Sequence, residues 1–169
     1  MSAKASTTIN NGIAALLPRM RRFARVIVHH RDDADDLVQI AVQRALARSA
    51  QWDANTRLDG WIFRVMRHVW NDELRSRARR EQSFTLEETG EQAGAETPEA
   101  RRRRKDVEKA VGTLPEEHRM VVALVLVDGM PYEAAAAVLD IPTAVLTGRL
   151  ARARAALQEI VSDQQRTAI

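Results

Sequence analysis

Between Glu81 and Glu99 the chain loses the means to build a core. Residues 81–100 hold six Glu and no Lys or Arg, mixed with Gln, Thr, Ser, Gly and one Pro. Such a stretch buries almost nothing and resists regular structure. A chain of 169 residues interrupted in this way is expected to fold as two small units joined by a tether. The flanking blocks have the opposite charge. Residues 1–80 carry 15 Lys/Arg against 8 Asp/Glu, and residues 101–169 carry 11 against 9, so the net +3 hides basic, acidic and basic segments in succession. Basic blocks suit a polyanionic partner, most simply nucleic acid, although cations also keep helical surfaces solvated.

Both blocks show helical spacing and neither shows sustained alternation, so the expected class is all-α. Aromatic residues make up only 4% of the chain, leaving the cores to Leu, Val, Ile, Ala and Met. Ile13, Leu16, Leu17, Met20, Phe23, Ala24, Ile27 and Val28 trace one amphipathic helix. Asp32 or Asp33 offers an N-cap for a second, carrying Leu37, Val38, Ala41, Val42, Ala45 and Leu46. A third opens at Asp59-Gly60, runs through Trp61, Ile62, Val65, Met66, Val69 and Leu74, and ends in a cluster of Arg. Beyond the tether, a helix through Val107 and Val111 breaks at Leu114-Pro115, and another spans about 116–127. The expected layout is a disordered 1–12, a first domain over 13–80, a flexible acidic linker over 81–104, a second domain over 105–163 and a tail over 164–169.

The most informative stretch follows Gly129. A short helix is read from Tyr132 to Leu139, a tight turn at Asp140–Pro142, and a second helix from Thr143 to about Val161. Ala135 and Ala136 permit a close, steep crossing, Ile141 plugs the angle, and Val145, Leu146, Leu150, Ala153 and Leu157 form the buried stripe. This is the grammar of a helix-turn-helix, whose second helix enters the major groove by its N-terminal residues. Thr143, Ala144, Thr147, Arg149 and Arg152 are the candidates for DNA contact. An ordinary helical hairpin with solvated Arg is the plainer alternative.

With these residues in view, the whole chain resembles the extracytoplasmic-function (ECF, group 4) sigma factors of the sigma-70 family. The resemblance rests on Asp32-Asp33-Ala34-Asp35-Asp36-Leu37-Val38-Gln39, Arg44-Ala45-Leu46 and Gly60-Trp61-Ile62-Phe63-Arg64 in the first block. In the second it rests on Leu114-Pro115, Tyr132-Glu133-Ala134-Ala135, Ile141-Pro142 and Arg149-Leu150-Ala151-Arg152. It implies a sigma2-like bundle and a sigma4-like helix-turn-helix. It implies that Asp32, Asp35, Asp36, Leu37 and Gln39 dock on the β′ clamp helices of core RNA polymerase, with the β flap as a second polymerase contact. It implies that Arg64, Arg67, His68, Trp70, Asn71 and Arg75 serve the opened minus-ten element, where aromatic faces stack on bases and Arg holds the backbone. Trp61 lies on the apolar stripe and fits the core better than a base platform. The sigma4-like half would read the minus-thirty-five element as duplex. An anti-sigma partner and a stress-response role belong to the same implication.

Two departures stand out. Ile40 occupies a position where the family carries an acid, and Gly148 interrupts the recognition helix, where glycine costs about 1 kcal/mol relative to Ala. Both are compatible with two other readings: a sigma mimic that sequesters an anti-sigma factor, and a plain helix-turn-helix regulator. The basic third helix speaks against the mimic, and the pattern of the first 80 residues against the plain regulator. No catalytic constellation, phosphate-binding loop or nucleophile motif is present, so neither enzymatic activity nor a small-molecule substrate is expected. There is no cysteine, and His29, His30, Asp32 and Asp33 crowd one helix end without converging, so no metal or cofactor is expected. The longest apolar run, Met120–Val127, falls far short of the roughly 20 residues that span a bilayer, and no secretory leader is read at the N-terminus. A cytoplasmic location is expected.

Overall fold

The computed structural model describes residues 3–28, 30–80 and 96–167, and its ordered elements are helices throughout. The segment 81–95, most of the expected tether, lies outside the described residues, as does His29. Helix α1 spans Ala3–Ile27, α2 spans Arg31–Ala47 and α3 spans Leu58–Arg80, with a single 3-10 turn at Ser49–Gln51 between the last two. Helix α4 spans Pro98–Gly112, α5 spans Glu116–Val121 and continues as a π-helical segment over Val122–Val127, α6 spans Tyr132–Leu139 and α7 spans Thr143–Thr167.

Helix α1 begins ten residues earlier than the disordered arm expected over 1–12 allows. Ile9 extends the apolar stripe by one turn below Ile13 and is only 3% exposed, which repays the ordering of an otherwise polar segment. Pro18 sits in the middle of this helix and withholds one amide donor. The carbonyl it orphans belongs to Ala14, on the exposed side, where water can serve it. The first unit closes around Met20, Phe23, Ile27, Ile62, Phe63 and Met66, all fully buried. Phe23 and Phe63 meet edge to face with centroids 5.1 Å apart, a geometry worth about 0.5–1.5 kcal/mol beyond area burial. Helix α2 starts at Arg31 with His30 in the cap position, so Asp32 and Asp33 lie in the first turn rather than at the cap. There they face the positive end of the helix dipole.

In the second unit, α4 starts at Pro98, inside the stretch read as linker. Thr97 caps it by accepting the Ala100 amide at 3.2 Å, and Pro98 takes the first helical position, where no amide donor is needed. The run Met120–Val125 is buried on every side. It forms a central strut between α7 and α1, which explains an apolar stretch with no amphipathic period. The expected single α-helix over 116–127 changes pitch at Val122; Asp128 and Met130 then donate to the Ala123 and Leu124 carbonyls, and Gly129 turns the chain at φ 76°.

The two helical domains expected from the sequence are both present, and they also pack on each other. One apolar cluster runs from Phe23 and Met66 through Leu124 and Met130 to Leu146 and Leu150, so α1 and α3 pack directly on the strut and on α6.

Candidate nucleic-acid interface

The α6–turn–α7 element follows the sequence reading closely. The helices meet at 100°. The turn is a Schellman closure: the Ile141 amide donates to the Ala136 carbonyl at 3.1 Å and the Asp140 amide to the Ala137 carbonyl at 3.3 Å. Asp140 supplies the left-handed residue this closure needs, at φ 54° and ψ 46°. Ala135 and Ala136 are buried at the crossing, and Leu146, Leu150 and Ala153 anchor α7 from beneath.

Thr143, Ala144, Thr147 and Arg152 are exposed on α7. The Thr147 hydroxyl donates to the Thr143 carbonyl at 2.9 Å, and Arg149, 23% exposed, pairs with Glu117 at 3.4 Å. Val145, expected in the buried stripe, is instead 40% exposed. The 146, 150, 153 and 157 positions already complete the inner stripe, and Val145 falls beside Ala144 on the outer edge. A branched methyl pair there suits a thymine methyl. Gly148 has open space around the position a Cβ would take.

The strand-binding candidates on α3 divide into three groups. His68 and Arg75 face solvent, and Asn71 is half-buried. Partial burial, then the neighbouring Arg67 and Arg64, hold the His68 pKa below its ordinary value, with Asp72 opposing. Arg64 and Arg67 instead reach the second unit: they donate to the Ala137 and Val138 carbonyls at 2.9 and 3.1 Å. Those carbonyls sit at the C-terminal, negative end of α6. Trp70 is buried; its Nε1 donates to Glu116 at 2.6 Å, and the Arg77 guanidinium lies 5.5 Å from its ring centroid. Trp61 is partly buried against the core.

On α2 the side chains of Asp32, Asp35, Asp36 and Gln39 are exposed, and Ile40 joins them at 43% exposure. Leu37 does not: it is 4% exposed and packs in the core. Asp33 is tied to Arg77 at 3.0 Å. Asp36 and Ile40 line a small cleft with Val69 and Trp70.

One polar cluster was not legible beforehand. Arg19 of α1 donates from Nε and Nη2 to both carboxylate oxygens of Asp128, at 2.9 and 2.8 Å, and from Nη2 to Asp59 at 3.1 Å. The Asp128 side chain is 2% exposed and that of Asp59 10%. Hydrogen bonding to Asp128 raises the Arg19 pKa despite burial. Burial pushes the Asp59 pKa up, but hydrogen bonds from Arg57, the Gly60 amide and Arg19 outweigh it and hold it below the usual value. Arg19 and Asp128 are 109 positions apart, and no local pattern announces their meeting. Among the described residues no group of His, Asp and Glu is arranged to hold a metal ion. No single helix among them is long and apolar enough to cross a membrane.

Comparison with known proteins places these surfaces in context. Residues 13–67 match the family described as the Sigma2 domain of PhyR, and residues 104–157 match Sigma-70, region 4. The ECF RNA polymerase sigma factor EcfG of Rhodopseudomonas palustris is 30% identical over 161 residues, covering 91% of this chain and 85% of that protein. The ECF RNA polymerase sigma-E factor of Escherichia coli is 28% identical, covering 76% of this chain and 74% of its own length. Among solved structures, the sigma factor RpoE of Bartonella quintana, crystallised with the anti-sigma factor NepR, superposes with a TM-score of 0.81 at 26% identity, covering 90% of this chain and 96% of that one.

Proposed function

The chain belongs to the ECF sigma factors of bacterial RNA polymerase, and on that premise we propose how its surfaces divide the work of transcription initiation. It is a transcription factor that joins core polymerase and directs it to promoters. The outer edge of α2, with Asp32, Asp35, Asp36 and Gln39, docks on the β′ clamp helices. An acid-and-amide face suits basic residues on a partner helix. Leu37 supports that edge from beneath. The basic face of α3, with Arg64, Arg67, His68, Asn71 and Arg75, holds the opened minus-ten strand. Trp70 joins it as a stacking surface once freed from Glu116. The N-terminal edge of α7, with Thr143, Ala144, Val145, Thr147, Arg149 and Arg152, reads the minus-thirty-five duplex, while the second unit also meets the β flap. The protein acts in the cytoplasm, without catalytic machinery or cofactor of its own. As the Bartonella quintana relative binds NepR, an anti-sigma factor is the expected regulator here.

The observation that carries this reading is the joint exposure, in one chain, of the acidic edge of α2 and the groove-facing edge of α7. It is tested by in vitro transcription with core polymerase and a library of upstream sequences. Initiation from a defined subset supports it; initiation from none contradicts it.

A second reading has one specific observation in its favour. The first block matches the sigma2 domain of PhyR, and Ile40 and Gly148 weaken the expected polymerase and duplex contacts. On that reading the chain captures an anti-sigma factor and supports no transcription. The same assay separates the two.

A further inference from the structure

The two units close on each other through side chains that promoter opening also requires. Arg64 and Arg67 each give a guanidinium N–H to a carbonyl at the end of α6, and Trp70 gives its indole N–H to Glu116. Each guanidinium is held at the α6 helix end by one N–H, which fixes its position there although other donors remain, and an indole buried at 4% exposure offers little face to a base. Thr143, Ala144 and Val145 on α7 remain exposed in the same arrangement. Closure therefore engages Arg64, Arg67 and Trp70 of α3, while His68 and Arg75 and the N-terminal edge of α7 stay exposed.

We propose that the strand-reading face of α3 is a docking surface for the chain's own α5 and α6, held shut by the Arg19–Asp128–Asp59 cluster. The closed protein then reads duplex but not single strand. This rests on the assignment of α3 to the opened strand. Arg19 is the keystone. It comes from the first unit, donates to both carboxylate oxygens of Asp128 in the second, and is steadied by Asp59 of its own unit. Its guanidinium also lies 5.5 Å from the Phe63 ring centroid, which ties it to the core beside α3. With Asp128 almost sealed from water, opening must hydrate that carboxylate and Arg19 together. Replacing Asp128 with a neutral side chain removes the grip and shifts the balance towards the open form. If the open form alone binds single strands, apparent affinity scales with its population.

The test uses the full chain, which has no native cysteine. Spin labels on Gln43→Cys in α2 and Gln158→Cys in α7, both exposed positions, report the distance between the units. Fluorescence anisotropy reports binding to a random-sequence single-stranded oligonucleotide and to a random-sequence duplex. Asp128→Asn should add a long-distance population and tighten single-strand binding by about tenfold or more, with duplex binding changed less than about twofold. Glu116→Gln, which weakens the Trp70 contact and the neighbouring Arg119 pair but leaves the Arg19–Asp128 grip in place, should give a smaller change in the same direction and stands in if Asp128→Asn fails to fold. A wild-type chain already open, folded variants that stay closed, or opening without gain in single-strand affinity would each overturn the proposal. A chain that opens and gains affinity as expected, yet never directs initiation, would contradict the sigma-factor reading and leave the closure intact.

Discussion

Asp140 shows how one residue can sit at a cost inside an otherwise well-specified turn. The left-handed conformation is one that glycine adopts freely and an aspartate does not. Asp140→Gly should therefore raise stability by up to about 1 kcal/mol, read as a higher denaturant midpoint with unchanged slope. Gly148 presents the opposite case: a helical glycine with open space around its missing Cβ. Gly148→Ala should stabilise by about 1 kcal/mol, and a rise in melting temperature checks it. Asp59 carries a pH signature. Its folded pKa is depressed, so its contribution is complete above the unfolded value, about 4, and disappears as pH falls through the lower folded one. Asp59→Asn should be destabilised at neutral pH, and the gap from the wild-type stability curve should close as the solution is acidified below about pH 4. A gap independent of pH would mean that the carboxylate's charge is not what matters.

Among the elements, α1 is the sharpest departure from a local reading. A polar segment with one apolar side chain has no visible helical period. It folds here because Ile9 finds the core. Ile9→Ala should cost about 2 kcal/mol or more, whereas truncation in a disordered arm would cost nothing; chemical denaturation distinguishes the two. The whole of α6, the turn and the start of α7 were legible to the residue because their punctuation is local: a proline before each helix, an aspartate that tolerates the left-handed turn, and alanines at the crossing; the end of α7 was not, since the helix runs past the expected stop near Val161 to Thr167. The pitch change at Val122 was not, since a segment apolar on all sides has no period to read. Val145 was misplaced for a related reason. At the first turn of a helix the inner and outer positions are adjacent, and hydrophobicity alone does not separate them. The acidic edge of α2 was legible as charge, but Leu37 shares its run and faces the other way.

For the whole molecule, composition pointed to two helical domains joined by an acidic linker; the structure has both domains and adds a continuous apolar core between them that composition does not show. The difference arises from contacts between residues far apart in sequence, above all Arg19 with Asp128 and Arg64 and Arg67 with α6. Each of these side chains looks, in its own helix, like a solvated cation or a cap. On the proposed assignment of α3 to the melted strand, function requires a rearrangement that frees α3 from α6. Polymerase, which engages both units, is well placed to favour the open form.

The central claim is that this chain directs polymerase through the acidic edge of α2. Run-off transcription with core enzyme, using promoters recovered from the library, measures it directly with wild type and Asp36→Arg side by side. The expected result is initiation by wild type that falls about fivefold or more in the variant at limiting protein and recovers at high protein, since a reversed charge at a docking edge weakens affinity by about 1–3 kcal/mol. Duplex binding by the free variant should stay unchanged. Absence of initiation by wild type at any sequence, or full activity of Asp36→Arg at limiting protein, would contradict it.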